Sequence, residues 1–243
     1  MQLIKLDAID STNDFLKSLS GSQIVENFTV VTAEDQTKGK GQMGAKWVSE
    51  TGKNLIMSIL IKNLLLDIHQ IYNLNVAVSL GVISALEKFD IPNLSIKWPN
   101  DIMSANKKIG GILIENSIKT NGEIISIVGL GLNVNQINFE ELPKASSLAV
   151  IKNINFDKEA ILFEIVENIK GNVSQLMNQQ SDDLWMNYNS KLFKKGIPMP
   201  FENQNGQQFM GIIQDVNRFG RLEILLEDDS IVTFDIKEIV MLY

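Results

Sequence analysis

The chain has 243 residues, a formal net charge of −7, no cysteine and one histidine, His69. These counts exclude disulfides, thiolate nucleophiles, Cys-ligated zinc and a His-rich metal site, and the acidic balance argues against a duplex-DNA footprint, which needs concentrated positive charge. No run approaches the roughly eighteen apolar residues of a membrane-spanning helix, and the N-terminus lacks a basic segment followed by an apolar one, so a cytoplasmic protein without a membrane partner is expected.

In chain order, Leu3–Leu6 reads as a short edge strand, and Ser11-Thr12-Asn13-Asp14 supplies cap-like groups before a helix carrying Phe15, Leu16 and Leu19. Phe28–Thr32 is β-branched and apolar, which predicts a strand. Ala33–Lys46 has neither period and reads as a long, polar, glycine-rich loop, a kind of segment that is often functional. Asn54–Ile61 reads as a central strand. Ile71, Leu74, Val78, Val82, Ala85 and Leu86 recur at helical spacing between Ile68 and Phe89, and His69 falls near the start of that helix as an exposed residue. Leu94–Trp98 is a strand stopped by the turn signal Pro99-Asn100-Asp101. Lys108–Glu115 and Ile124–Asn133 are strands joined through Asn121-Gly122, a hairpin signal that makes the pair antiparallel. A helix opens at Asp157 with Ile161, Ile165, Ile169 and Val173 on one face, and another covers Asp182–Asn189. After Lys195-Gly196 come short strands at Ile197–Phe201, Gln208–Val216, Arg221–Leu226 and Ile231–Ile236, separated by turn residues. This order predicts an α+β fold: a mixed sheet flanked by helices over residues 1–190, then a small barrel-like β module over residues 191–243.

Gly39-Lys40-Gly41-Gln42-Met43-Gly44 follows a strand, where glycines let backbone amides converge on an anion and lysines add point charge. No Gly-Lys-Ser/Thr closes it, so it is not a Walker loop. No helical pattern follows directly, so it is not a dinucleotide fingerprint either. With one histidine and no cysteine, any metal is expected to be a hard cation held by oxygen ligands and phosphate. Taken singly, each feature has a plainer account: Trp98 and Trp47 as packing anchors, Lys107 and Lys108 as solvated residues, Gly110-Gly111 as a bulge.

The features occur jointly. Ser11-Thr12-Asn13, Gln36–Gly52, Lys97-Trp98-Pro99-Asn100-Asp101 with Lys108–Glu115, and Gly129–Asn135 resemble the signature blocks of the biotin–protein ligases, in that family's order and spacing. The resemblance covers essentially the whole chain. It implies a catalytic domain like that of the class II aminoacyl-tRNA synthetases and biotin–lipoate ligases, with a C-terminal SH3-like β-barrel. It also implies activation of biotin with ATP to biotinyl-5′-AMP and pyrophosphate, followed by transfer to a lysine of a biotin carboxyl carrier domain.

Carried over by position, Lys108 is the catalytic lysine that meets carboxylate and phosphate. Ser11, Thr12, Asn13, Gln36, Gly39, Lys40, Gly41, Gln42 and Gly111 belong to the biotin side. Trp47, Lys97, Asn100, Asn133 and Asn135 belong to the nucleotide side, with Trp47 packing on adenine, and Asp101 is the candidate Mg²⁺ ligand. Members commonly carry several arginines in the glycine-rich loop, where this chain has Lys40, Gln42, Met43 and Ala45; the departure touches how tightly the adenylate is held. Ten residues precede Ser11, which resembles the form without an N-terminal DNA-binding domain, so no nucleic-acid partner is expected. Relatives of this kind occur as monomers and homodimers. Two alternatives stay open: a lipoate–protein ligase, whose pocket takes a longer apolar chain, and a non-enzymatic carrier-binding protein. The polar Ser11, Thr12 and Gln36 favour the ureido ring of biotin.

Overall fold

The structure is a computed structural model and describes residues 1–64, 70–119 and 123–243. His69 and the Asn121-Gly122 turn lie outside the described residues. The first part of the chain supplies β1 (Leu3–Ile9), β2 (Val30–Gln36), β3 (Leu55–Leu64), β4 (Leu94–Lys97), β5 (Asp101–Ser104), β6 (Lys107–Ile118) and β7 (Ile124–Leu132). They form a seven-stranded sheet in the order β1-β2-β3-β7-β6-β5-β4. β1 and β2 run parallel and the other neighbours antiparallel, so the sheet is mixed as expected.

Alternation along β3 explains how the sheet is covered on two faces. Leu55, Met57, Ile59 and Ile61 join the main core with α2 (Tyr72–Lys88), α4 (Lys158–Met177) and α5 (Ser181–Ser190). Leu60 points the other way and packs with Leu16 of α1 (Thr12–Ser22), Val31 and Ile127 in a smaller cluster. α1 starts where Ser11 stops being extended: the Ser11 hydroxyl accepts from the Asp14 amide at 3.3 Å. α4 starts at Asp157, whose carboxylate accepts from the amides of Glu159 and Ala160.

The remaining strands are β8 (Pro198–Asn203), β9 (Gln208–Val216), β10 (Leu222–Leu225), β11 (Ile231–Phe234) and β12 (Ile239–Met241). They form a five-stranded antiparallel sheet in the order β11-β10-β9-β8-β12. The composition suits an SH3-like module, but among the described residues β11 and β12 do not pair, so the sheet is open where a barrel was expected. Closing it would need the end strands to run alongside each other, and these are only four and three residues long. This sheet shares the main core: Phe201, Ile213, Leu222 and Ile224 are continuous with it, and Trp98 Nε1 donates to the Gly220 carbonyl at 2.8 Å.

Several elements differ from expectation. β2 extends to Gln36, where a loop from Ala33 was predicted, because β1 supplies a ladder through Ala8↔Asp35 and Ile9↔Gln36 that outweighs the polar sequence. Phe28 lies outside β2 with a left-handed φ of 59°. β5, β12 and the five-residue α3 (Leu148–Lys152) were not predicted; each is too short to show a period.

Candidate active site

The N-terminus of α1, the end of β2 and the middle of β3 meet at one polar cluster. Gln36 Oε1 accepts from the Thr12 amide at 2.8 Å and lies 3.0 Å from the Thr12 hydroxyl. Beneath them Ser58, fully buried, lies 2.7 Å from Thr12 Oγ1 and 2.6 Å from Asn13 Oδ1. Asn13 Nδ2 donates to Glu115 Oε2 at 2.7 Å. Ser11, Thr12 and Asn13 are all buried, and their polar groups are satisfied by Asp14, Gln36, Ser58 and Glu115 instead of by solvent.

A second cluster comes from the β4–β5 turn and β6. Asn100 is pinned to β6 by its Nδ2 donating to the Ile112 carbonyl at 2.7 Å and by the Ile112 amide donating back to the Asn100 carbonyl at 3.0 Å. Next to it, Asp101 Oδ1 lies 2.6 Å from Lys108 Nζ, and Asp101 Oδ2 lies 3.8 Å from Lys97 Nζ. Burial pushes the Lys97 ammonium below the usual lysine range, Lys108 and Lys144 push the same way, and Asp101 opposes them. The Tyr243 ring sits between Lys97, 5.1 Å from its centroid, and Lys144, 4.4 Å away.

The glycine-rich segment bridges the two clusters. It is more ordered than its sequence suggests, a tight hairpin in which Lys40 pairs with Lys46, the Gly41 amide donates to the Ala45 carbonyl at 2.7 Å, and Gln42–Gly44 forms a 3₁₀ turn. Lys40 turns toward α1 and pairs with Asp14 at 2.7 Å. Trp47 leaves the hairpin and lays its indole on the sheet over Gly111 and Gly131. A Cβ at Gly131 would fall 2.3 Å from the ring, so only glycine admits that contact. Lys108 Nζ lies 5.8 Å from the centroid of the same ring. Trp47 Nε1 is buried with no hydrogen-bond partner among the described residues.

A cavity of about 590 Å³ joins these parts. Of the residues singled out from sequence, Ser11, Thr12, Asn13, Gln36, Lys40, Gly41, Gln42, Trp47, Lys97, Asn100, Asp101, Lys108 and Gly111 line it. Gly39 stands behind the wall against the Trp47 carbonyl. Asn133 and Asn135 also lie outside the lining. Asn133 Nδ2 donates to the Ser146 carbonyl, and Asn135 pairs with the backbone of Phe156, so both brace the segment after β7. Ile236, Lys237, Ile239 and Met241 of the C-terminal sheet and its last turn complete the cavity, and Lys237 Nζ donates to the Met43 carbonyl at 3.3 Å.

Sequence reasoning missed Lys237 and the buried Ser58. A lone hydroxyl in the apolar run Leu55–Ile61 was the available signal for Ser58. Lys237 gave none, because only folding brings it to the cavity. Among the described residues the lining carries Lys40, Lys46, Lys97, Lys108 and Lys237 against the single acid Asp101, a cationic site in a chain of net charge −7. No group of three His, Cys, Asp or Glu side chains among the described residues is placed to hold a metal. Asp101 is already engaged by two lysines, so the side chains do not by themselves form a resident cation site.

Residues 6–135 match the sequence model of the biotin/lipoate A/B protein ligase family. The chain is 27% identical over 215 residues to the biotin–[acetyl-CoA-carboxylase] ligase of Mycobacterium tuberculosis, covering 87% of this chain and 79% of that one. It is 27% identical over 232 residues to the bifunctional ligase/repressor BirA of Escherichia coli, covering 93% and 70%. The fold superposes on the biotin protein ligase from Aquifex aeolicus in complex with biotin and ATP with a TM-score of 0.81 at 28% identity, over 99% of this chain and 98% of the other.

Proposed function

Since the chain belongs to the biotin/lipoate A/B protein ligase family, we propose that it activates biotin with ATP and transfers it to a lysine of a biotin carboxyl carrier domain. The observation that carries this reading is the position of Lys108: a cation between a closed polar pocket (Thr12, Gln36) and a second cluster built from Lys97, Asn100 and Asp101. A cyclic urea with an acid tail suits the first, and a nucleotide triphosphate suits the second.

In the first step a biotin carboxylate oxygen attacks the α-phosphorus of ATP. The new C(=O)O–P bond forms as the bond to the β-phosphate oxygen breaks, and pyrophosphate leaves. Both reactants are anions and charge grows on the phosphoryl oxygens, so fixed cations are what the reaction asks of the protein. Lys108, about one-third exposed and held among the described residues only by Asp101 and the Trp47 face, is free to exchange that pairing for substrate oxygens. Lys97 adds a second charge, and Trp47 offers a flat apolar wall to the intermediate. Magnesium enters this proposal with the nucleotide, as a substrate ion on phosphate oxygens. In the second step the acceptor amine attacks the acyl carbon, AMP leaves with the bonding electrons, and the amine releases a proton. The glycine-rich hairpin and the Lys237 turn stand over this reaction and limit water access to the mixed anhydride.

No helix among the described residues is long and apolar enough to cross a membrane, and the reaction is proposed for the cytoplasm. The test is biotin-dependent exchange of labelled pyrophosphate into ATP, with lipoate as control. Exchange with biotin and background with lipoate is expected. Exchange with lipoate alone would move the proposal to a lipoate ligase, and exchange with neither acid would remove the enzymatic reading.

A further inference from the structure

Beyond Lys108 the positive charge continues outward through two residues that the chemistry above does not use. Asp101 bridges Lys108 and Lys97, at 2.6 and 3.8 Å. The Tyr243 ring then lies against both Lys97 and Lys144, whose Nζ atoms are 5.1 and 4.4 Å from its centroid. The segment carrying Lys144 is strapped to β6: the Lys108 amide donates to the Lys144 carbonyl at 2.8 Å, and the Ser146 amide donates to the Lys108 carbonyl at 3.0 Å. Tyr243 is held as well. Its ring packs edge-on against Phe193 with centroids 5.1 Å apart, and the neighbouring Leu242 amide donates to the Pro200 carbonyl at 3.0 Å. Among the described residues Asp101 is the one carboxylate paired with any of the three lysines.

We propose that Lys144 and Tyr243 extend the nucleotide side of the site into a seat for the β- and γ-phosphates of ATP, the part that leaves as pyrophosphate. This rests on the biotin-activation reading given above. In an in-line displacement the attacking and leaving oxygens stand opposite each other across the phosphorus. With the acid held on the Thr12–Gln36 side of Lys108, the leaving group is directed to the other side, where Asp101, Lys97, Tyr243 and Lys144 follow in turn. Three ammonium groups against one carboxylate leave positive charge unbalanced there. Burial disfavours the charge on Lys97, and Lys108 and Lys144 add to that against the pull of Asp101. A polyanion relieves such a cluster. Pyrophosphate is one, and it takes the bonding electrons with it as its bond to the α-phosphorus breaks. Tyr243 contributes without cancelling any charge: burial, and after it Asp101, raise its phenol above the usual range, so the group stays neutral while its ring attracts both ammoniums. Lys144 is exposed, so the outer end of the seat opens to solvent, where the product departs.

The exposed position of Lys144 lets it be replaced with little effect on packing. Formation of labelled biotinyl-AMP is measured for the wild type, Lys144→Ala, Lys144→Arg and Tyr243→Leu, with pyrophosphate and AMP each titrated as inhibitors. In Lys144→Ala the KM for ATP and the inhibition constant of pyrophosphate should rise together by about fivefold, the scale of one charge-assisted hydrogen bond made near solvent. Lys144→Arg keeps the charge and should bring both constants back to within about twofold of wild type. Tyr243→Leu removes the ring that both lysines face and should move the same two constants in the same direction as Lys144→Ala. The KM for biotin and the inhibition constant of AMP should stay level, because neither molecule carries a β- or γ-phosphate. An unchanged pyrophosphate constant in Lys144→Ala, or an AMP constant that rises as far as that of pyrophosphate, would overturn the seat while leaving the proposed function intact. A wild-type protein that forms no adenylate from biotin and ATP would overturn the function and this inference together.

Discussion

In the proposed reaction Lys108 brings one positive charge to the place where two anions must meet, and among the described residues its side chain is anchored only at Asp101 and the Trp47 ring. Replacing it with alanine removes little buried surface, so the melting temperature should change by no more than a few degrees. Adenylate formation should fall by at least about a hundredfold, the scale of losing a charge donor to a transition state. A normal burst of pyrophosphate from Lys108→Ala would take this lysine out of the chemistry. Lys97 gives a second test through pH. Burial holds its pKa below that of an exposed lysine, about 10.4. Its charge is therefore lost earlier as pH rises, and the KM for ATP should climb in that alkaline window. Lys97→Arg, which keeps its charge, should shift the climb upward or abolish it. Identical KM–pH curves would contradict the assignment. For stability the sign is opposite to that of a salt-bridged lysine. The folded pKa is the lower one, so the penalty of a buried charge is present at neutral pH and relieved as pH rises toward the unfolded pKa. Most of the lining was legible at this scale because it sits in short contiguous motifs such as Lys97–Asp101. Ser58 was not, since a serine in a strand reads the same whether it faces solvent or a polar network. Asn133 and Asn135 lie in a motif yet serve the backbone after β7.

At the scale of elements, we propose that the glycine-rich hairpin is the part that moves when substrate binds. Its exposed tip is held to the rest of the protein by Lys40–Asp14 and by the Lys237 bond to the Met43 carbonyl, both near solvent and worth little each. Limited proteolysis should cut between Lys38 and Lys46 in the free protein and be suppressed several-fold by biotin with ATP. Equal cleavage in both states would contradict a loop that closes on the intermediate. Beyond Gln36 the segment was readable as a loop because it lacks any period. Its internal hairpin was not, because that depends on backbone pairings such as Lys40↔Lys46 that leave no mark in side-chain pattern. The same holds for β5, α3 and β12: three to five residues form an element only when a neighbour supplies the partner.

At the scale of the whole molecule, the two sheets share a core, and the cavity needs both. Trp98 joins them through its bond to the Gly220 carbonyl, a buried acceptor with its donor on β4's following turn. Trp98→Phe keeps most of the ring but leaves that carbonyl unpaired, which should cost about 1–3 kcal/mol. Thermal denaturation should register about 2–4 °C for each of those kcal/mol in a chain of this size. An unchanged melting temperature would mean that the two sheets do not depend on this contact. The α+β class and the order of elements followed from periodicity. The open C-terminal sheet did not, because closure depends on whether the last strand reaches β11 or stays with β8.

One continuous site is proposed both to activate biotin and to hand it on. It is tested most directly by incubating the protein with labelled biotin, ATP, Mg²⁺ and a biotin carboxyl carrier domain, and measuring label on the acceptor, with labelled lipoate in parallel. ATP-dependent labelling of the carrier by biotin, lost when the acceptor lysine is replaced by arginine, is expected, with none by lipoate. Labelling by lipoate in place of biotin, or no labelling of the carrier by either acid, would contradict it.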